Sequence, residues 1–361
     1  MNTAHTFQER RRLLTGLLAG ALLPASGAWA QTAGRALAFP YYSGEQALQG
    51  LYGQHLPPLA RAFEREARAL TAAARQHCAA PGSSGALKDA WRRTLLAWAA
   101  LSSPSLGPVI ERRSQRQIDF WPTRPALLEK ALKSAPQTLV DMERIGTPAK
   151  GFPAMERLLA GKPSPAHCPY LVLIAEGIEA EARALRAGFE EPATRDWTAD
   201  EEGARSAFAE WINQWLGGLE RLRWIHIEQP VQRARTAGKG HQPEFARLAA
   251  ADNAAEWRTQ WQALRAQARL RPEQIAMPPQ PGQGPIPIEG LLMGKGQIAL
   301  AQRWGTALDA ADGAFQRLPA KPSDAALMAL SKTLKGVTTL YQNEVAAALD
   351  VPLGFSDADG D

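Results

Sequence analysis

Cysteine is scarce in this chain. Only Cys78 and Cys168 occur in 361 residues, and neither belongs to a C-x-x-C pair. Two thiols alone build no metal site, so the pair reads as a structural disulfide, provided the compartment is oxidising. It would close a loop of about ninety residues and contribute on the order of 4 kcal/mol through the denatured state. Charge of one sign is scarce too. The 41 basic and 36 acidic residues leave +5, and no basic patch is interleaved with aromatics, which argues against a nucleic-acid partner. No apolar stretch after the N-terminal one reaches the ~20 residues of a membrane span. No segment alternates with period two. H-E-x-x-H and G-x-S-x-G are both absent, and Gly294-Lys295-Gly296 lacks the glycine and Ser/Thr of a phosphate loop. The closing Asp357-Ala-Asp359-Gly360-Asp361 resembles the start of a calcium loop without its bidentate acid, and reads as a solvated tail or local cap.

What is present begins with an address. Arg10-Arg11-Arg12 precede the short apolar stretch 13–23, and Ala28-Trp29-Ala30 supplies a small-x-small cleavage pattern. Residues 1–30 read as a signal peptide, with Gln31 as the mature N-terminus. Arg10-Arg11 followed by Leu13-Leu14 suits a twin-arginine signal better than the general secretory route. Cleavage removes three Arg and one Glu and leaves +3. No cysteine near the cut offers a lipid anchor. The product is expected to be periplasmic, with no membrane span.

The remaining ~330 residues suggest two domains. Ala-rich segments with 3.6-residue periodicity dominate, so the fold is expected to be all-α. The stripe Leu48, Leu51, Leu56, Leu59, Phe63, Ala67, Leu70, Ala74 is interrupted by Pro57-Pro58, and Trp91, Leu95 and Trp98 share one face of a helix over 87–101. Further helices are expected over 109–119, 169–189, 200–223, 226–237, 243–270, 297–318 and 323–349. The clearest boundary runs from Glu190-Glu191-Pro192 to Trp197, giving 31–195 and 196–361 as N- and C-terminal bundles. An echo supports related halves. Gly151-Phe-Pro-Ala-Met-Glu156-Arg-Leu-Leu-Ala-Gly-Lys162 aligns with Gly284-Pro-Ile-Pro-Ile-Glu289-Gly-Leu-Leu-Met-Gly-Lys295 at six of twelve positions.

Three stretches resemble the imelysin-like family of bacterial periplasms and cell surfaces. They are Ala90-Trp91 to Trp98 leading through Gly107-Pro108-Val109 to Arg116-Gln-Ile-Asp119-Phe-Trp121-Pro122, then Gly151 to Leu159 followed by Cys168, and the ending 349–361. The resemblance implies two related helical bundles, an association with iron uptake, and a metal or ligand site around a G-x-H-x-x-E motif. It also carries a peptidase label. Here Gly151 and Glu156 stand in place, but the histidine position holds Pro153, whose ring offers no donor. Proline instead suits the first turn of a helix bearing Glu156.

The leading expectation is a non-enzymatic periplasmic protein that binds a small ligand, or iron or another divalent metal, in a cleft between the bundles. Glu156 is its principal residue. Glu289 is expected to approach it across the interface, with Asp119, Arg116 and Trp121 lining the same cleft. A metal-dependent peptidase is the rival, and would need His167 and His241 as replacement ligands. A scaffold contacting a membrane or a receptor partner in the cell envelope is the third, for which Trp211, Trp215 and Trp224 offer a surface, core packing being the default for that stripe.

Overall fold

In the computed structural model, which describes residues 39–80, 84–161 and 164–354, helix α1 (Leu56–Ala79) buries Leu56, Ala60, Phe63, Ala67, Leu70 and Ala74 along one side. Steps of three and four residues place these side chains in one stripe, and burying each Leu or Phe stabilises the fold by about 1.5–3 kcal/mol. The stripe packs against α2 (Gly85–Leu101) and the long α4 (Cys168–Gly188), while α3 (Gly151–Ala160) lies across α2 and α4. Cys78, near the end of α1, and Cys168, at the start of α4, are joined in a disulfide with Cα atoms 5.6 Å apart.

After residue 195 the chain forms α5 (Glu201–Glu220), α6 (Ala250–Ala268), α7 (Ile288–Gly294), α8 (Ile298–Arg317) and α9 (Asp324–Leu340). Helix α6 packs on both α2 and α5, and the short helix Gly44–Gly50 packs on α5. Elements from before and after residue 195 therefore interleave, and residues from Phe39 onward form one compact unit around a continuous apolar core. No strand occurs among the described residues. The expected signal peptide, residues 1–30, and the Asp357-to-Asp361 tail lie outside them.

Prolines shape two of the helices. No break forms at Pro57-Pro58, because both sit in the first turn of α1, where a missing N–H is tolerated. The preceding residues, Leu51–His55, widen into a π turn in which the Leu56 N–H reaches back five residues to Leu51 O. Likewise α5 runs without a gap through a π segment, Arg221–Glu228, into the helix Gln229–Ala237. Pro230 offers no N–H to the preceding turn, and the Gln229 N–H bonds Trp224 O, again five residues back.

Three expectations need correction. The helix expected over 109–119 is two short ones, Pro108–Glu111 and Ser114–Ile118, separated by Arg113 at φ 53°. Buried Glu181 holds both pieces by accepting from Arg112 Nη2 at 2.7 Å and Ser114 Oγ at 2.6 Å. The helix expected from residue 243 starts only at Ala250, because Asn253 ties the Arg247 backbone into a loop. Its Oδ1 accepts from Arg247 N at 3.0 Å and its Nδ2 donates to Arg247 O at 2.8 Å. Finally, Trp211 and Trp215 form no surface. They are 1 % and 0 % exposed, and their indoles donate to Gln267 Oε1 at 2.7 Å and Leu264 O at 2.8 Å. Trp215 stacks on Tyr341 with centroids 4.9 Å apart, which makes Trp211 and Trp215 part of the continuous apolar core, while Trp224 is half-buried.

Candidate functional site

Where α2 and α6 meet, charged side chains are buried together. Arg247, 3 % exposed, lies between Asp119 and Glu256, which are 7 % and 1 % exposed. Its Nη1 and Nη2 donate to Asp119 Oδ1 and Oδ2 at 2.7 and 2.8 Å, and its Nε and Nη2 to Glu256 Oε2 and Oε1 at 2.8 and 2.5 Å. Each carboxylate thus receives two donors in a fork geometry that only guanidinium supplies. Trp98 Nε1 and Gln115 Nε2 also donate to Asp119 Oδ2, at 3.1 and 3.3 Å. Burial works against the charge on Arg247, but Asp119 and Glu256 outweigh it and hold its pKa well above the usual range. Burial pushes Glu256 upward, with Asp119 and Asp252 adding to the rise and Arg247 opposing it.

Glu156 stands beside this cluster. Gly151 sets its helix. It has φ +67°, and a Cβ there would run into the Ile118 carbonyl, so only glycine lets α3 start against the segment carrying Asp119. Pro153 occupies the first turn of α3, as expected. Glu156 Oε1 accepts from Leu248 N at 2.8 Å. Burial raises the Glu156 pKa to about 7, against the lowering effects of the Leu248 and Ala249 N–H groups and Arg247. Asp252 adds to the rise.

A small cavity of about 10 Å³ opens next to the cluster. Its lining comes from Ser102, Ser103 and Gln115 before residue 195, and from Arg221, His226 and Gln260 after it. His226 Nδ1 and Gln260 Oε1 lie 3.1 Å apart, within hydrogen-bond distance. Burial lowers the His226 pKa to about 4, so the ring is neutral at neutral pH.

The residues expected in the site divide. Asp119 and Glu156 come together around Arg247 and Leu248. Arg116 stays exposed, and half-buried Trp121 makes no hydrogen bond in the cluster, its expected place being taken by Trp98. Glu289 lies elsewhere. Its Oε2 accepts from Leu270 N at 2.8 Å just beyond the end of α6, and Arg269 pairs with it. Glu156 binds just ahead of the start of α6, whose 19 residues span about 28 Å. The two acids therefore share no site. Each instead receives the backbone N–H of the residue that follows an arginine. His241 is exposed on its loop and His167 lies beside Cys168 at a different cavity, so neither joins Glu156.

Arg247, Glu256, Gln260, Arg221 and Gln115 went unnoticed in the sequence, and His226 was not singled out among the histidines. One signal was available. Asn253, Glu256, Gln260 and Gln267 recur at helical spacing on the face of α6 that also carries Trp257, Trp261 and Leu264, and all are buried.

The family model for Imelysin, labelled as a peptidase family, matches residues 56–342. The chain belongs to the imelysin family. Among solved structures it is similar to an imelysin-like protein from Psychrobacter arcticum, with 20 % identity and TM-score 0.68 over 87 % of this chain and 98 % of that one. It is also similar to a candidate iron-regulated protein A precursor from Parabacteroides distasonis, with 12 % identity and TM-score 0.67 over 85 % and 95 % of the two chains. No curated protein matches it. At these identities the solved structures establish the shared all-α fold alone.

The metal implied for this imelysin by its motif does not fit the residues present. Pro153 has no donor, Glu156 Oε1 is engaged by Leu248 N, and all four oxygens of Asp119 and Glu256 receive Arg247. Among the described residues no group of three or more His, Cys, Asp or Glu is placed to hold a metal ion. The position of positive charge between the carboxylates is taken by a guanidinium.

Proposed function

We propose that this imelysin is an exported, periplasmic, non-catalytic protein that binds a small ligand in the cavity between its two halves, in the service of iron or other metal acquisition. One observation carries the reading. Segments from before and after residue 195 place polar side chains around one cavity, directly beside a buried ion cluster in which Arg247 bridges Asp119 and Glu256. Substitution of the motif histidine by Pro153 supports binding over peptidase chemistry. Export is supported by the composition of residues 1–30, and by the paired Cys78 and Cys168, which suit an oxidising compartment. The link to iron rests on the family resemblance and on the description of the Parabacteroides protein. A division into related halves, 31–195 and 196–361, rests on the echo of 151–162 in 284–295. A partner in the cell envelope belongs to the same proposal.

The test is metal analysis of the purified mature protein and its Glu156→Ala variant, together with digestion of a peptide library. The expected result is no stoichiometric metal in either protein and no cleavage. Stoichiometric metal that disappears in the variant, or cleavage by the wild type, would overturn the reading in favour of a metallopeptidase.

A further inference from the structure

Arg221 is a cation without a counter-charge. The acids nearest it in sequence, Glu220 and Glu228, both pair with Arg223, at 2.6 and 2.7 Å. Asp119 and Glu256 are taken by Arg247. Among the described residues Arg221 makes no ion pair, and its one side-chain hydrogen bond is from Nη1 to Ser105 Oγ at 3.3 Å. The residue keeps some exposure, yet loss of hydration lowers its pKa and no carboxylate opposes that. A guanidinium has five N–H donors, and only one nitrogen of half-buried Arg221 has a protein partner.

The surroundings select a ligand. No carboxylate lines the cavity, while Ser102, Ser103, Gln115, Gln260 and His226 do. Room of about 10 Å³ admits a group of about one water in size. The π segment Arg221–Glu228 builds this pairing. In an α-helix, residues five apart are turned away from each other by about 140°, whereas i→i+5 geometry brings Arg221 and His226 to one side. Resting on the reading of this cavity as the binding site, we propose that Arg221, with Ser103 and Gln260, holds a monatomic monovalent anion of the size of chloride.

The experiment compares thermal unfolding and ³⁵Cl NMR line widths of the mature protein in gluconate buffer at fixed ionic strength. Chloride, nitrate, formate, butyrate and sulfate are titrated in turn, beside a ligand-detected NMR screen of neutral fragments. The expected result is a saturable rise in unfolding midpoint with chloride, smaller with nitrate, formate, butyrate and sulfate, and chloride broadening that is lost in Arg221→Met. Arg221→Met should weaken binding by about tenfold or more, and Arg221→Lys should keep part of it. The wild-type NMR signal keeps the test valid if the Met variant fails to fold. An anion effect unchanged in a folded Arg221→Met variant overturns the inference. Neutral fragments that bind and are lost in Ser103→Leu, with no anion effect, overturn the inference and spare the broader reading. No binding of any kind overturns both.

Discussion

Glu156→Gln offers a sharp test of how this motif is built. Glu156 is 7 % exposed, and burial lifts its pKa from an ordinary 4.5 to about 7. A carboxyl group raised in this way binds its proton more tightly in the folded state than in the unfolded state. Its ionisation therefore costs nothing below about pH 4.5, accumulates as pH rises towards 7, and is fully felt above that. From the two pKa values the cost is about 3 kcal/mol at pH 8 and under about 1 kcal/mol at pH 5. Glutamine is neutral throughout, and its carbonyl can still accept from Leu248 N. Any fixed penalty from the new amide donors is the same at both pH values and cancels in the comparison. Urea unfolding of wild type and Glu156→Gln at pH 5 and pH 8 should show the variant gaining roughly 2–3 kcal/mol on the wild type over that interval. A gap that stays constant, or that moves against the variant as pH rises, would refute the reasoning. It would mean that Glu156 is an ordinary ionised carboxylate at a helix terminus, worth ~0.3–1 kcal/mol.

Two further outcomes follow from the same geometry. Arg247→Met leaves Asp119 and Glu256 buried without their cation, and should cost about 3–5 kcal/mol in urea unfolding. Adding Asp119→Asn and Glu256→Gln should recover part of that loss, and a single-variant cost below about 1 kcal/mol would contradict the buried ion cluster. Replacing Cys78 and Cys168 by serine opens a loop with a sequence separation of 90 residues and should lower stability by about 4 kcal/mol. Dithiothreitol should reproduce this in the wild type and leave the serine variant unchanged.

The periodic segments were readable because a helix buries residues three and four apart whatever lies opposite. The stripe from Leu56 to Ala74 and the face of Trp91, Leu95 and Trp98 are core in the structure as they are in the pattern. Pro57-Pro58 misled because a proline pair reads as a stop only when it falls inside a helix. At a first turn, after a π bulge that absorbs the missing donors, the chain continues. Core packing, the default for Trp211 and Trp215, holds over the alternative of a surface, because Tyr341 and Trp304 cover Trp215 from far along the chain.

The site was half legible. Asp119 and Glu156 stood out as acids beside Trp121-Pro122 and within a recognisable motif, and the need for glycine at 151 follows from the close approach of Ile118. Arg247 carried no signal, being one arginine among many in a polar loop. Its role exists only because Asn253 bends that loop and Asp119 waits 128 residues away. The repeated acid was wrongly read as a pair, since similarity between two segments says nothing of the distance between them, and Glu156 and Glu289 bind at opposite ends of α6.

By itself, then, the sequence determined an all-helical chain, its buried faces, and a motif whose proline could not ligate. Periodicity and side-chain chemistry are local properties, and local properties survive in any fold that buries the stripe. Only the tertiary structure decided that Arg247 would fill the place between the carboxylates, that Glu289 would lie at the far end of α6, and that Arg221 and His226 would face one cavity. Each of these depends on which distant segments meet, and the last also on a π turn that shifts the helical period away from 3.6.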